Sequence, residues 1–276
     1  MLPKLQEALT DRYTVEREIG HGGAARVFRA HAPDGEVVAL KVLHPELLVS
    51  TTADRFLREI QICRQLDHPN ISHLIDSGER DWLVYYVMRY IEGPTLRAVL
   101  DRVRRLSISD ATRVATDLLA ALAHAHERGI IHRDVKPENV TISPQGAVLL
   151  DFGIARAIDR SAAEALTRSG ITVGTSKYMS PEQITGTRDL SPGTDLYSLA
   201  CVLFECLAGR PPFVHRYEAV VLQAHINDPA PDVRTLRPEV PAAFAEAIAR
   251  ALAKKPEDRW PSAAAMRAAI EGGASA

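Results

Sequence analysis

The segment His132-Arg133-Asp134-Val135-Lys136-Pro137-Glu138-Asn139 gathers an acid, a lysine and a carboxamide just after a stretch of helical periodicity. Asp151-Phe152-Gly153 follows the apolar run Ala147 to Leu150. One aspartate can accept a hydroxyl proton, while a second aspartate and Asn139 offer hard oxygen ligands suited to Mg²⁺. Far upstream, Gly20-His21-Gly22-Gly23-Ala24-Ala25-Arg26-Val27 lies between two strand-like runs. A glycine-rich turn lets backbone amides approach a phosphate closely, because no Cβ intervenes. A dinucleotide fold would need a helix directly after those glycines, but Arg26 to Ala30 continues as strand. No Walker lysine follows them either, which leaves a flap over phosphates. Lys41 ends the run Val38 to Lys41, and Glu59 lies on the inward-looking stretch of the next helix. A Lys–Glu pair there would hold an ammonium against a polyphosphate while partly neutralising it. Each piece alone reads equally well as a solvated charge or a satisfied turn; their order along one chain does not.

The elements that must position these groups change character along the chain. Tyr13 to Gly20, Arg26 to Ala32 and Glu36 to Leu43 read as strands, the last two joined by the turn Pro33-Asp34-Gly35. Phe56, Ile60 and Cys63 recur at helical spacing within a helix expected over Thr52 to Leu66, with Thr52 as N-cap. Strands follow near His73 to Asp76 and Trp82 to Val87, then a break at Glu92-Gly93-Pro94. Beyond it the pattern is helical. Ser109 to Arg128 sets Val114, Leu118, Leu122 and Ala125 on one face and ends at Gly129. Asp195 to Ala208 is apolar nearly all round and reads as a helix buried in the core. Amphipathic helices are expected near Glu218 to Ile226 and Ala242 to Lys254.

Composition narrows the class. The 276 residues are 46% hydrophobic and 25% charged, as in ordinary soluble globular chains. The formal charge of −2 carries no basic surplus that would point to nucleic acid. Cys63, Cys201 and Cys206 cannot form a disulfide framework, and their scarcity suits a reducing cytoplasm. No apolar run approaches a membrane span, and Met1-Leu2-Pro3-Lys4 does not begin a signal peptide. His124 and His126, two apart on a helix, face differently and make a poor shared metal site, and Cys201 and Cys206 read as core.

Taken together, these motifs resemble the protein kinases, specifically the bacterial eukaryotic-like Ser/Thr kinases, over residues 13–270. The resemblance implies an α+β, bilobal kinase domain over residues 1–270. Its small β-rich lobe would cover 13–88 with one helix, its hinge 88–93 and its larger helical lobe 94–270, leaving a tail at 271–276. ATP would lie in the cleft with Mg²⁺, or with Mn²⁺ in its place. Gly20, Gly22 and Gly23 would cover the phosphates, and Lys41 would contact them while paired with Glu59. Asp134 would orient the acceptor hydroxyl and take its proton, and Lys136 would stabilise the transferred phosphoryl. Thr175 would bridge Asp134 and Lys136, and Asn139 and Asp151 would bind the metal. Val27 and Ala39 would sandwich the adenine, with Met88 as gatekeeper, the backbone of Tyr90 and Ile91 at its edge, and Thr141 beneath it. Cys63, Leu74, His132 and Phe152 would stack as a column. Glu182, in Ser180-Pro181-Glu182, would pair with Arg259, and Asp195 would bind amides of the catalytic loop.

The same resemblance assigns regulation to Thr167, Ser169 and Thr172, whose phosphates would dock on Arg133 and order the loop. Lys136 and Gly174-Thr175 point to Ser/Thr rather than Tyr acceptors, and the β-branched Ile154 to Thr over Ser. Three positions depart from the family pattern: Ala25 with the extra Gly23, Thr141 where an apolar residue is usual, and Ser180 for alanine. Partners implied are protein substrates and a homodimer through the back of the small lobe, with no nucleic acid and no membrane contact from this segment. The location implied is cytoplasmic, as a soluble kinase or as the cytoplasmic domain of a longer membrane-anchored receptor. The alternatives are a nucleotide-binding pseudokinase scaffold and a small-molecule kinase. The complete set Lys41, Asp134, Asn139 and Asp151 argues against the first, and the long segment before Ser180 against the second.

Overall fold

A computed structural model describes residues 2–22, 25–44, 53–80, 83–152, 175–187 and 189–273. They fall into two compact units that divide between Ile91 and Glu92, with residues 69–71 belonging to the second.

The first unit is built on a five-stranded antiparallel sheet of order β1-β2-β3-β5-β4. Its strands are β1 (Thr14–His21), β2 (Ala25–His31), β3 (Val37–Leu43), β4 (Leu74–Arg80) and β5 (Leu83–Arg89). Side chains alternate across a sheet, and directly opposed residues share a face. Val27 opposes Lys41, Ala39 opposes Met88 and Lys41 opposes Tyr86, so these five residues share one face. Phe28, Leu40 and Val87, and Val42 with Tyr85, occupy the other. Period-two patterning thus separates the candidate ligand-facing residues from the core.

That core face is closed by a helix, α1 (Leu2–Leu9), in a stretch where the sequence pattern assigns no element. Leu5 and Leu9 are fully buried in one cluster with Phe28, Leu40, Val42 and Tyr85. β1 is an edge strand, and its outward backbone groups need partners. The Gln6 side chain supplies one at the start of the strand and ties the residue before it: its Oε1 accepts from Val15 N at 2.6 Å and its Nε2 donates to Tyr13 O at 3.3 Å. Arg12 and the Tyr13 hydroxyl meet Asp76 Oδ2, each at 2.9 Å, which ties the end of this segment to β4. The helix expected over Thr52 to Leu66 is shorter: α2 (Ala53–Gln61) tightens into a 3₁₀ turn over Ile62–Gln65. Its Phe56 packs on Tyr86, ring centres 6.1 Å apart.

The second unit is mainly helical. The α3 helix (Leu96–Val103) is also absent from the sequence pattern, although Thr95 caps it by accepting from Ala98 N at 3.2 Å. It is followed by α4 (Ile108–His126), capped by Ser107, and a hairpin of β6 (Val140–Ser143) and β7 (Gly146–Leu149). The one-turn α5 (Pro181–Ile184) precedes α6 (Pro192–Ala208), α7 (Glu218–Asn227), α8 (Ala242–Ala251) and α9 (Ala263–Gly273). Every residue of α6 from Gly193 to Leu207 is buried, as its nearly all-round apolarity implies, and α4 and α8 pack against it. Cys201 and Cys206 lie in this core, where burial raises both thiols well above their ordinary range. No helix among the described residues is long and apolar enough to cross a membrane.

Because α1 completes the sheet's core, Leu9→Ala should cost about 2–5 kcal/mol, read as a lower urea midpoint. An unchanged midpoint would mean that α1 contributes nothing to the first unit.

Candidate active site

The loop between α4 and β6 converges on Asp134. Lys136 Nζ lies 2.7 Å from Asp134 Oδ2, and Asn139 Nδ2 donates to the same oxygen at 2.9 Å and to the Asp134 carbonyl at 2.8 Å. Both donors face one carboxylate oxygen, which fixes the rotamer of the side chain. With its amide nitrogen committed, Asn139 presents Oδ1 as the atom suited to a hard cation. Asp151, one residue beyond the strand-like run, supplies the carboxylate of such a set. A Mg²⁺ site of one amide and one carboxylate fits this chemistry, since Mg²⁺ keeps several waters and leans on substrate phosphates.

The loop is strained where it carries this chemistry. Arg133 and Asp151 adopt positive φ, 70° and 66°. Such conformations cost non-glycine residues about 1–3 kcal/mol each and persist only when neighbours enforce them. His132 is one enforcer: its Nε2–H donates to Leu150 O at 2.7 Å while its Nδ1 accepts from Asp134 N at 3.2 Å. That pattern defines a neutral Nε2–H ring. His132 also packs edge-on against Phe152, centres 4.6 Å apart. The expected column therefore has its His132–Phe152 contact; Cys63 and Leu74 are buried in the other unit.

Asp195, at the start of α6, enforces the rest. Its Oδ1 accepts from Arg133 N and its Oδ2 from His132 N, each at 2.8 Å. His126 Nε2 adds a third bond at 2.7 Å. Complete burial would raise this carboxyl, but the His126 bond and the loop amides reverse that and hold it below the usual carboxylate range. His126 Nδ1 is buried and has no hydrogen-bond partner among the described residues. Sequence reasoning dismissed His126 as a poor metal ligand and missed this role. Only its position one α4 turn before the loop hinted at it.

In the first unit, Lys41 is 8% exposed on β3, with Nζ 5.9 Å from the Tyr86 ring centre. Val27, Ala39 and Met88 share its face, and Tyr90 stacks on the Arg29 guanidinium at 5.6 Å. Gly20 lies on β1, and Gly22 N donates to Ala25 O at 2.9 Å, so the glycine turn closes on itself. Ile91 is half-buried at the end of this unit. Thr141 lies buried on β6 opposite Val148, in the second unit. Gly23, the side chains of Glu59 and Thr175, the N-cap Thr52, and Ile154, Thr167, Ser169 and Thr172 lie outside the described residues.

The protein kinase domain family matches residues 13–269. The chain belongs to the protein kinase family. It is 39% identical over 254 residues to the serine/threonine-protein kinase PknH of Mycobacterium tuberculosis, covering 91% of this chain and 40% of that protein. It is likewise 39% identical to the probable kinase PknB of Bifidobacterium longum, covering 94% of this chain and 39% of the relative. For PknD of Mycobacterium tuberculosis the identity is 39%, covering 91% and 38%. The chain thus spans about two-fifths of the length of these curated relatives. The resemblance read from the motifs is thereby established, and with it the kinase fold: a five-stranded sheet unit and a helical unit.

In this kinase domain the loop's platform is anchored by Glu182. Arg259 grips its carboxylate with two bonds, 2.7 and 2.8 Å, and Thr194 adds a third at 2.8 Å. The remaining guanidinium donors reach the carbonyls of Gly193, Ala253 and Lys254, so all five are satisfied. Burial would raise Glu182, but the Arg259 bonds outweigh it and hold the carboxyl below its ordinary value. Gln183 completes a capping box with Ser180 and donates through Nε2 to Arg133 O at 2.7 Å, joining α5 to the catalytic loop. Tyr178 OH donates to Glu205 Oε2 at 2.5 Å, and Arg97 holds the other oxygen at 2.7 Å.

Removing one partner leaves a buried charge unpaired, so Glu182→Ala should cost about 3–5 kcal/mol of stability. A carboxyl lowered by folding stabilises above its unfolded value, 4.5, and loses that contribution as pH falls through the folded one. The urea midpoint of the wild type should therefore drop more steeply below pH 4.5 than that of Glu182→Ala. Parallel pH curves would mean that the pair carries no net stability.

Proposed function

We propose that this chain is a Mg²⁺·ATP-dependent serine/threonine protein kinase that also phosphorylates its own loop at Thr167, Ser169 and Thr172. The observation that carries this reading is Asp134, with one carboxylate oxygen held by Lys136 and Asn139 on a loop gripped by Asp195. Among the described residues no hydrogen bond is made to the other oxygen, which can receive a proton. As the acceptor oxygen bonds to the γ-phosphorus and the bond to the β-phosphate oxygen breaks, Asp134 takes the hydroxyl proton and ADP departs. Lys136, beside the same carboxylate, offsets charge on the transferred phosphoryl. Lys41, paired with Glu59, binds the α- and β-phosphates, and Gly20, Gly22 and Gly23 cover them. Mg²⁺, held by Asn139 and Asp151, supplies neutralisation of phosphate charge when bound. Val27, Ala39, Met88, Tyr90, Ile91 and Thr141 receive the adenine, and Thr175 bridges Asp134 and Lys136. The work is positioning and charge neutralisation, in keeping with a largely dissociative transition state.

The names of the relatives support protein acceptors, with transfer to serine or threonine, and Ile154 favours threonine. A homodimer through the first unit would have to form with the core face of its sheet already covered by α1. It would therefore use the outer surface of α1 or the strand edges, and the sedimentation coefficient of the intact chain should rise toward that of a dimer as its concentration is raised if such a dimer forms.

Incubation with Mg²⁺·ATP should add phosphates, located by intact mass and peptide mapping at Thr167, Ser169 or Thr172. Asp134→Asn should slow incorporation by about 100- to 10,000-fold, the usual worth of a positioned general base. Nucleotide binding by a folded wild type that incorporates no phosphate would instead establish a pseudokinase scaffold. Mapping in which serine acceptors dominate would overturn the threonine preference.

A further inference from the structure

The glycine turn of the first unit is held by a side chain to which the kinase reading gives no role. At the base of the hairpin, Arg26 crosses to Glu18, its Nε 3.1 Å from Oε1 and its Nη2 on Oε2. The tip closes on itself through Gly22 N, which donates to Ala25 O at 2.9 Å. These bonds shape the turn within β1 and β2 and do not reach β3. The carbonyl of Gly22 does. His44 Nε2 lies 3.1 Å from Gly22 O, across 22 residues of chain. A carbonyl only accepts, so Nε2 carries the hydrogen and donates it.

The bond follows from strand register. β2 and β3 pair as far as Ala25 opposite Leu43, and Val27 opposes Lys41 in the same ladder. His44 is the next residue beyond Leu43 and so comes level with the turn that precedes Ala25. Pro45 follows it in the sequence. The residue before a proline is confined to extended backbone, which carries the line of β3 on by one residue. One strand therefore serves the phosphates twice. Lys41 offers a buried ammonium, and three residues on His44 offers a donor to the turn that is assigned to cover them. The His44 ring is only half-buried, so its replacement opens no cavity in the core and reads the bond rather than the packing.

We propose that His44 is a positioning residue for the phosphates of the nucleotide, its Nε2–H holding the Gly22 carbonyl so that the glycine turn stays in register with the strand that carries Lys41. The proposal rests on the kinase reading for its ligand, a nucleoside triphosphate. A turn released at this point keeps its Glu18–Arg26 base and its own closing bond, and loses its tether to β3. The part of binding that depends on phosphates then weakens, while the part that depends on adenine does not.

The test uses the full 276-residue chain and displacement of a fluorescent ADP by two ligands, Mg²⁺·AMP-PNP and adenosine. His44→Phe keeps the ring's bulk and loses both nitrogens. Its Kd for AMP-PNP should rise about fivefold, the worth of one hydrogen bond, with the Kd for adenosine unchanged. His44→Gln returns an amide donor near the place of Nε2 and should recover most of the loss. His44→Asn, whose shorter amide falls near Nδ1, should not. An unchanged AMP-PNP Kd in His44→Phe would overturn the proposal. So would an adenosine Kd that rises in step with it, or recovery that follows melting temperature rather than the reach of the donor. A wild type that binds AMP-PNP no better than adenosine would overturn it as well. A wild type that binds AMP-PNP tightly and transfers no phosphate from ATP would sink the kinase reading alone, and the His44 comparison would still decide whether the tether holds the phosphates.

Discussion

A single buried carboxylate holds the reactive loop in place. Asp195 accepts from His126, His132 N and Arg133 N at 2.7–2.8 Å. A fully buried charge is tolerable only when its lone pairs are filled, and here they are filled by the backbone that must be held. The arrangement works in both directions. The loop amides, turned inward by the positive φ of Arg133, would be orphaned without the carboxylate, and the carboxylate would be intolerable without them. Strain at Arg133 is thus the geometric condition for aiming two successive amides at one group, and the next residue is Asp134.

Asp195 can play this part because α6 is buried from Gly193 to Leu207. A helix buried on every side has no soft face, and its polar residues must all find protein partners. Thr194, Tyr197 and Glu205 each do so with a different piece of the second unit. Thr194 reaches Glu182, Tyr197 reaches His225, and Glu205 takes both Tyr178 and Arg97. These contacts radiate from one rod, so segments far apart in sequence share a common reference. Glu182 and Arg259 lock the segment after the catalytic loop to the same rod, through a guanidinium whose five donors are all used. The first unit solves the simpler problem of presenting Lys41. It does so with sheet alternation, keeping Val27, Ala39 and Met88 on the Lys41 face while α1 seals the other.

Much of this was legible from residue type and order. The catalytic segment, the Asp151 motif, the glycine turn and Lys41 are local signatures, each encoded within a few residues. The strands and the longer helices follow from periodicities of two and 3.6. The misses have a common origin. α1 and α3 are short, and the helix over Thr52 to Leu66 ends early as a 3₁₀ turn, because short helices owe their existence to what they pack on rather than to their own pattern. α1 forms because Leu5 and Leu9 have a sheet face to cover and Gln6 an edge strand to satisfy.

Sequence alone determined which groups could accept a proton, hold a metal or approach a phosphate, since those capacities belong to side chains and to their spacing in one loop. It also determined that α6 would be buried, because no other environment suits so apolar a helix. Only the tertiary structure decided which oxygen of Asp134 is occupied, that His126 serves Asp195 rather than a metal, and that His44 reaches the Gly22 carbonyl. The reason is physical. A hydrogen bond is a matter of tenths of an ångström between groups that may be seventy residues apart, and a buried polar atom takes its partner from whatever the packing brings beside it.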